Sequence, residues 1–353
     1  MTYQSFRPGK EWLDTDNNPI QAHGFSVFYD AAAGLYYWYG ENKAYTKKGG
    51  TIWHWGVNLY SSRDLYNWKK VGLIIPPEPE DLQSPLHPTY CMDRPHILFC
   101  EKTGKYVAWL KIMGGETSQF MCVMESGRLE GPWHYVHKVY KPLQMDTGDF
   151  CLYHDRSAGK AYIIFDRPHF EMICADLTED FCSVTGQYSA HYTGMRPPYA
   201  REAPTIFEKD GKKYLFTSGV TGYYPNVSDV CVFEDFHGEW TSLGDPCIGD
   251  KTGTTFNSQI TCVLQVPGTG QYIVCADRWM PQWYVPKLSR QILAGTAKHF
   301  ADYQPDTAPK EALPLPGTEQ KHSENTCRSR YVWLPLQWQG EKPVLRWRRE
   351  WRL

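Results

Sequence analysis

Apolar residues in this chain gather in short runs of strand length, and five of the runs open with or just after a polar residue. The runs AHGFSVFY, MDRPHILFC, TGDFCLYHD, REAPTIFEK and FNSQITCVL place His23, Asp93, Asp149, Glu202 and Gln259 at comparable points, at intervals of 70, 56, 53 and 57 residues. Each run leads into a turn with Gly34, Gly104, Gly159, Gly211 or Gly270, and then into an aromatic-rich strand such as LYYWY or KYVAW. Glycine takes up the positive φ that a tight hairpin demands. A radially repeated module of four short strands needs about 40–50 residues and brings its first strand to a central axis. The pattern therefore predicts an all-β, five-bladed β-propeller in which each module contributes one polar group to a single pocket.

The first module reads FSVFYD, LYYWYGE, GVNLYSS and WKKVGLII, with a long segment between Glu41 and Gly56 suited to a pocket rim. Prolines 76, 77, 79, 85 and 88 mark a linker to the second module. The fifth module opens at ITCVLQ, passes through an irregular excursion at about 279–325, and takes its last strands from SRYVWLPLQWQGEKPVLRWRREW. The best helical candidate is LSRQILAGTAKHF, 288–300, and it lies inside that excursion. Residues 1–353 are expected to form one domain.

Composition narrows the function. Aromatic residues are 15% of the chain, with 14 Trp and 24 Tyr, a load suited to strand cores and to stacking on sugar faces. A formal net charge of -2 gives no broad field for nucleic acid or an anionic membrane. No apolar tract is long enough to predict a membrane span. The basic tail RWRREWR reads as a closing strand. Eleven cysteines, an odd number without CxxC pairs, point to buried reduced thiols and against a cysteine metal site. The N-terminus lacks a secretory signal, so a cytoplasmic location is expected. No cofactor is expected.

Three carboxylates in one ring suit cleavage of a glycosidic bond, where one carboxyl stays protonated to serve the leaving oxygen while others stay anionic. Glu202 is the candidate general acid; the bland alternative is a surface ion pair with Arg201. Asp149 would keep that acid protonated, or else cap a turn with Thr147 and Gly148. Asp93 would bond sugar hydroxyls, or pair with Arg94. Glu41 would enter the pocket or sit on its rim. Gln259 cannot act as a base but can orient a water or a sugar hydroxyl. His23 would exchange a proton with the sugar, or be a buried, satisfied histidine. Arg196, Trp55 and Tyr223 are candidate rim contacts, with packing as the aromatic residues' competing role.

At these residues the sequence resembles glycoside hydrolase family 43, and within it the exo-β-1,3-galactanase subfamily. The matching stretches include HGFSVFYDAAAGLYYWYGE, NLYSSRDLYNW, DRPHILFCEKTGKYVAWL, GDFCLYHDRSAGKAYIIF, REAPTIFEKDGKKYLFTSGVTGYYPN and FNSQITCVL, from about residue 20 to 275. The resemblance implies a five-bladed propeller that hydrolyses glycosides with inversion and without a metal. It assigns the acid to Glu202 and the residue that tunes it to Asp149. The family's usual Asp base on blade one is missing here, where the strand opens AHGF. In the galactanase subfamily a blade-five glutamine is thought to engage the attacking water, and Gln259 matches it. The subfamily's sugar-contacting Glu on blade two is Asp93 here. The implied activity is release of terminal galactose from β-1,3-linked galacto-oligosaccharides, with acid and water-handling group about 6.5–9.5 Å apart. An α-L-arabinofuranosidase or β-xylosidase of the same family, or a propeller that only binds glycan, remains open, as does the oligomeric state.

Overall fold

The structure, a computed structural model, describes residues 2–114, 119–282, 286–302 and 321–353. Four successive antiparallel sheets have four strands each. The first holds β1 (His23–Asp30), β2 (Leu35–Glu41), β3 (Val57–Ser62) and β4 (Lys69–Ile75). The second holds β5 (Cys91–Cys100), β6 (Lys105–Met113), β7 (Gln119–Ser126) and β8 (His134–Tyr140). The third holds β9 (Phe150–Asp155), β10 (Lys160–Arg167), β11 (Glu171–Leu177) and β12 (Val184–His191). The fourth holds β13 (Arg201–Lys209), β14 (Lys212–Gly219), β15 (Ser228–Phe233) and β16 (Thr241–Gly244). After the short β17 (Cys247–Ile248), a fifth sheet is made by β18 (Gln259–Gln265), β19 (Tyr272–Arg278) and β20 (Arg330–Pro335).

The propeller is therefore all-β as expected, but its count of five blades is corrected to six sheets. The sixth joins β17 to β22 (Lys342–Arg346) in parallel and β22 to β21 (Gln337–Gln339) in a hairpin. The sequence reading gave those last strands to the fifth module. Pro335 ends β20, and a proline has no N–H with which to extend a ladder. Beyond it the hairpin turns to the fourth sheet, where Trp338 packs edge-on against Tyr214 at 5.2 Å and Lys209 lies over the Trp338 ring at 4.7 Å.

The first strands β1, β5, β9, β13 and β18 touch in a closed ring, each against the next. That ring is the axis on which the site is built. All five hairpin glycines have positive φ, from 62° at Gly34 to 78° at Gly211, as the turns required. Between the sheets, large aromatics fill the core, with Trp38, Trp68, Trp109 and Trp333 fully buried. The basic tail does help to close the molecule: its first residue, Arg346, ends β22, and Trp351 adds a single bridge. Phe6 pairs with Trp351 and stacks on it at 4.4 Å, while Trp351 Nε1 donates to the Trp333 carbonyl at 2.8 Å. All eleven cysteines are free, and ten are buried, which fits the thiol reading.

The excursion contains a helix, α1 (Pro286–His299), over the segment singled out in the sequence. Residues 283–285 and 303–320 of that excursion lie outside the described residues. Among the described residues, no helix is long and apolar enough to cross a membrane.

Candidate active site

Strict alternation along a strand would send neighbouring side chains to opposite faces. The first strands break that rule just where the polar residues sit. Pairing registers shift after His23 in β1, after Asp93 in β5 and after Glu202 in β13, the signature of β-bulges. The residue that follows each is left-handed: Gly24 at φ 53°, Arg94 at 47° and Ala203 at 53°. For Arg94 and Ala203 that conformation costs about 1–2 kcal/mol each. At Gly24 no side chain fits, because a Cβ would lie 2.5 Å from Glu41 Oε1. The bulge in β5 lets two consecutive residues, Asp93 and Arg94, both face the axis.

They line a cavity of about 600 Å³ together with Glu41, Lys111, Asp149, Glu202 and Gln259, a volume suited to a sugar. Trp53, Tyr223 and Trp279 give it aromatic walls. The ring thus brings Glu202, Asp149, Gln259, Asp93, Glu41 and Tyr223 into one hollow, as the sequence suggested.

Of the cavity's carboxylates, Glu41, Asp93 and Asp149 each have a Lys or Arg within ion-pair distance. Lys111 Nζ lies 2.9 Å from Asp149 Oδ1 and 3.5 Å from Asp93 Oδ2. Arg94 Nε donates to Asp149 Oδ2 at 2.8 Å. Lys43 Nζ lies 2.6 Å from Glu41 Oε2 and 3.4 Å from Asp93 Oδ1. Burial works against the charge on Asp93 and Asp149, but these cations win and hold both carboxyls below the usual range. Burial pushes Glu41 up, against the pull of Lys43.

Glu202 is different. Arg201 turns away from it, donating to the Thr217 hydroxyl at 2.9 Å and the Thr217 carbonyl at 2.8 Å. This geometry removes the surface ion-pair alternative. Burial, and then the Asp149 anion, push the Glu202 carboxyl up to about 8. A carboxyl so placed is mostly protonated at neutral pH.

Among the described residues, the one hydrogen bond to its carboxyl is donated by Gln259 Nε2, at 3.1 Å from Oε1. Gln259 Oε1 faces two groups that can only donate, Arg94 Nη2 at 3.2 Å and Trp279 Nε1 at 3.0 Å. Those donors fix the amide's orientation and occupy both lone pairs of its oxygen. The wide separation expected between the acid and a water-handling Gln259 is thus not found. The cause is the ring: β13 and β18 are neighbours, so their inward side chains meet.

Three expected sugar contacts do not line the cavity. His23 is fully buried, with Nδ1 2.8 Å from Asp277 Oδ1 and its ring stacked on Tyr331 at 4.9 Å. Trp55 packs edge-on against Tyr45 at 5.1 Å. Arg196 is exposed and donates from Nη1 to the Ala301 carbonyl at 3.0 Å, tying down the end of α1.

Of the residues opposite the polar openings on the second strands, the sequence reading found Glu41 and missed Lys111, Asp166 and Asp277. Hairpin pairing sets Glu41 across from His23, Lys111 across from Asp93 and Asp277 across from Gln259, while Asp166 N bonds the Asp149 carbonyl. Counting back across each turn glycine finds them, because each is a charged residue near the end of an apolar second strand. Asp166 also bonds His169 Nδ1 at 2.6 Å. Among the described residues, Asp166, His169 and Glu202 are the one set of three donors spaced to hold a metal ion, within 4.8 Å of one another. Two of the three are already bonded to each other.

A closed ring of strands, a sugar-sized hollow and a protonated carboxyl beside an ionised one define the site of a glycosidase. The family model for glycosyl hydrolases family 43 matches residues 17–280, and the chain belongs to that family. A search of curated proteins gives no match. Among solved structures, a family 43 β-1,3-galactosidase is 26% identical with a TM-score of 0.77 over 100% of this chain and 64% of its own. The chain thus spans less than two thirds of that relative. A second β-1,3-galactosidase, solved with galactodeoxynojirimycin, is 27% identical with a TM-score of 0.75, covering 99% of this chain and 100% of its own. The exo-β-1,3-galactanase of Phanerochaete chrysosporium with β-1,3-galactotriose, at 22% identity and a TM-score of 0.76, covers 99% of this chain and 68% of its own and shares the fold.

Proposed function

We propose that the protein is an exo-acting, inverting hydrolase that removes terminal galactose from β-1,3-linked galacto-oligosaccharides. The observation that carries this reading lies in the ring of strands: of Glu41, Asp93, Asp149 and Glu202, only Glu202 has no Lys or Arg within ion-pair distance among the described residues. Galactose, and not arabinose or xylose, is favoured by the substrates named for the two relatives above 25% identity.

Glu202 gives its proton to the glycosidic oxygen as positive charge grows on the sugar ring. Asp149, held ionised by Lys111 and Arg94, keeps that proton in place until then. Gln259, pinned by Arg94 and Trp279, steadies Glu202 and can turn its amide hydrogens to the sugar or water that enters. The water's proton goes to a carboxylate farther round the ring. Glu41 and Asp93 are not hydrogen-bonded to Glu202, and β5 is not a neighbour of β13 in the ring. Of the two, Asp93, held ionised by Lys43 and Lys111, provides the acceptor that Gln259 lacks.

The test is hydrolysis of β-1,3-galactobiose followed by proton NMR. The reading predicts that α-galactose appears first and then mutarotates. Absence of galactose, or preferential cleavage of aryl arabinosides or xylosides, contradicts it.

Asp149→Asn gives a second check. Asp149 raises the Glu202 carboxyl, so its neutralisation lowers that group and leaves less of it protonated at neutral pH. The alkaline limb of kcat against pH is expected to move to lower pH in the variant. A limb that stays in place removes Asp149 from its tuning role.

A further inference from the structure

One wall of the cavity comes from outside the sheets. Thr296, His299, Phe300 and Asp302, at the end of α1 and just beyond it, line the same hollow as Glu202. Two contacts hold this end in place. Arg196 Nη1 donates to the Ala301 carbonyl at 3.0 Å, and the Phe300 ring meets the His169 ring edge-on, at 5.8 Å and 87°. His169 is itself fixed by Asp166, and both lie with Glu202 in the cluster spanning 4.8 Å. The path from Phe300 through His169 to Glu202 therefore sets this segment beside the acid. The Glu41–Lys43–Asp93 ion pairs, with Lys43 5.9 Å from the Tyr223 ring, belong to a different part of the wall.

A general acid faces the oxygen of the departing sugar. Groups next to the acid, and beyond the first strands, are thus next to the leaving group and not to the sugar being cleaved off. We propose that Phe300, His299 and Asp302 form the binding site for the leaving-group sugar, a neutral hexopyranose. The Phe300 ring takes the apolar face of that sugar, and the His299 and Asp302 side chains take its hydroxyls. Arg196 is a positioning residue that holds the segment against His169. This assignment rests on the galactosidase reading with Glu202 as acid.

The experiment compares β-1,3-galactobiose with β-galactosyl fluoride, whose leaving group is a single ion that needs no sugar site. Phe300→Ala is expected to lower kcat/KM on the disaccharide about fivefold to tenfold and to leave the fluoride within about twofold. Arg196→Ala is expected to give a smaller loss with the same selectivity. Equal losses on both substrates, or no loss on the disaccharide, overturn the assignment alone. Wild-type enzyme inert on both substrates overturns the galactosidase reading and this site with it.

Discussion

Glu202→Gln is expected to lower kcat on β-1,3-galactobiose by about 10³-fold, within the range that general acid catalysis supplies. The loss follows from the leaving group, because a sugar alkoxide departs only with a proton. β-Galactosyl fluoride needs no such proton, and its hydrolysis is expected to fall far less. The pH dependence should change as well. In the wild type, activity falls as pH rises through about 8, where the acid loses its proton. In the variant that limb disappears.

Stability follows the same sign. The folded protein favours the uncharged carboxyl, so the stability Glu202 contributes is complete below its ordinary value of 4.5 and is lost as pH rises through about 8. Glutamine has nearly the same volume and no charge to bury. The variant is therefore expected to be more stable than the wild type above pH 8, by denaturant titration. Unchanged activity on the disaccharide contradicts the role given to Glu202.

Lys111→Met is expected to cost about 3–5 kcal/mol of stability, the loss that follows when one partner of a buried ion network is removed. Lys111 is buried between two carboxylates, Asp149 at 2.9 Å and Asp93 at 3.5 Å. Methionine fills much the same space but leaves Asp149 with Arg94 alone and Asp93 with Lys43 alone, the latter at 3.4 Å and shared with Glu41. Both aspartates are then easier to protonate, so the deficit should shrink as pH falls. Denaturant titrations at pH 7 and pH 5 measure both effects. Equal stability of variant and wild type at pH 7 contradicts the network described here.

Much of this site was legible because the sequence repeats one hairpin. Gly34, Gly104, Gly159, Gly211 and Gly270 fix the turns, and with them the strand openings that carry Asp93, Asp149, Glu202 and Gln259. The sheet count was not legible. The chain after Pro335 keeps the same alternation of apolar and polar residues, and only tertiary pairing sends it to β17. The cations were missed for a different reason. Lys111 lies 18 residues after Asp93 and nearly opposite it, a relation that depends on a bulge which pattern alone does not reveal. His23 sits at a polar opening like the rest, yet its ring turns to Asp277 and away from the cavity. Arg196 and Trp55 lie in loops, where sequence carries no register to say which way a side chain points.

The account depends most on a buried carboxyl, Glu202, that stays uncharged at neutral pH because burial and the Asp149 anion outweigh the pull of nearby His169 and Lys111. A carbon-13 NMR titration of the carboxyl groups, with the Glu202 signal assigned by its loss in Glu202→Gln, tests this directly. The account predicts a midpoint near 8, moving lower in Asp149→Asn. A midpoint near 4.5, the value of an ordinary exposed glutamate, would contradict it.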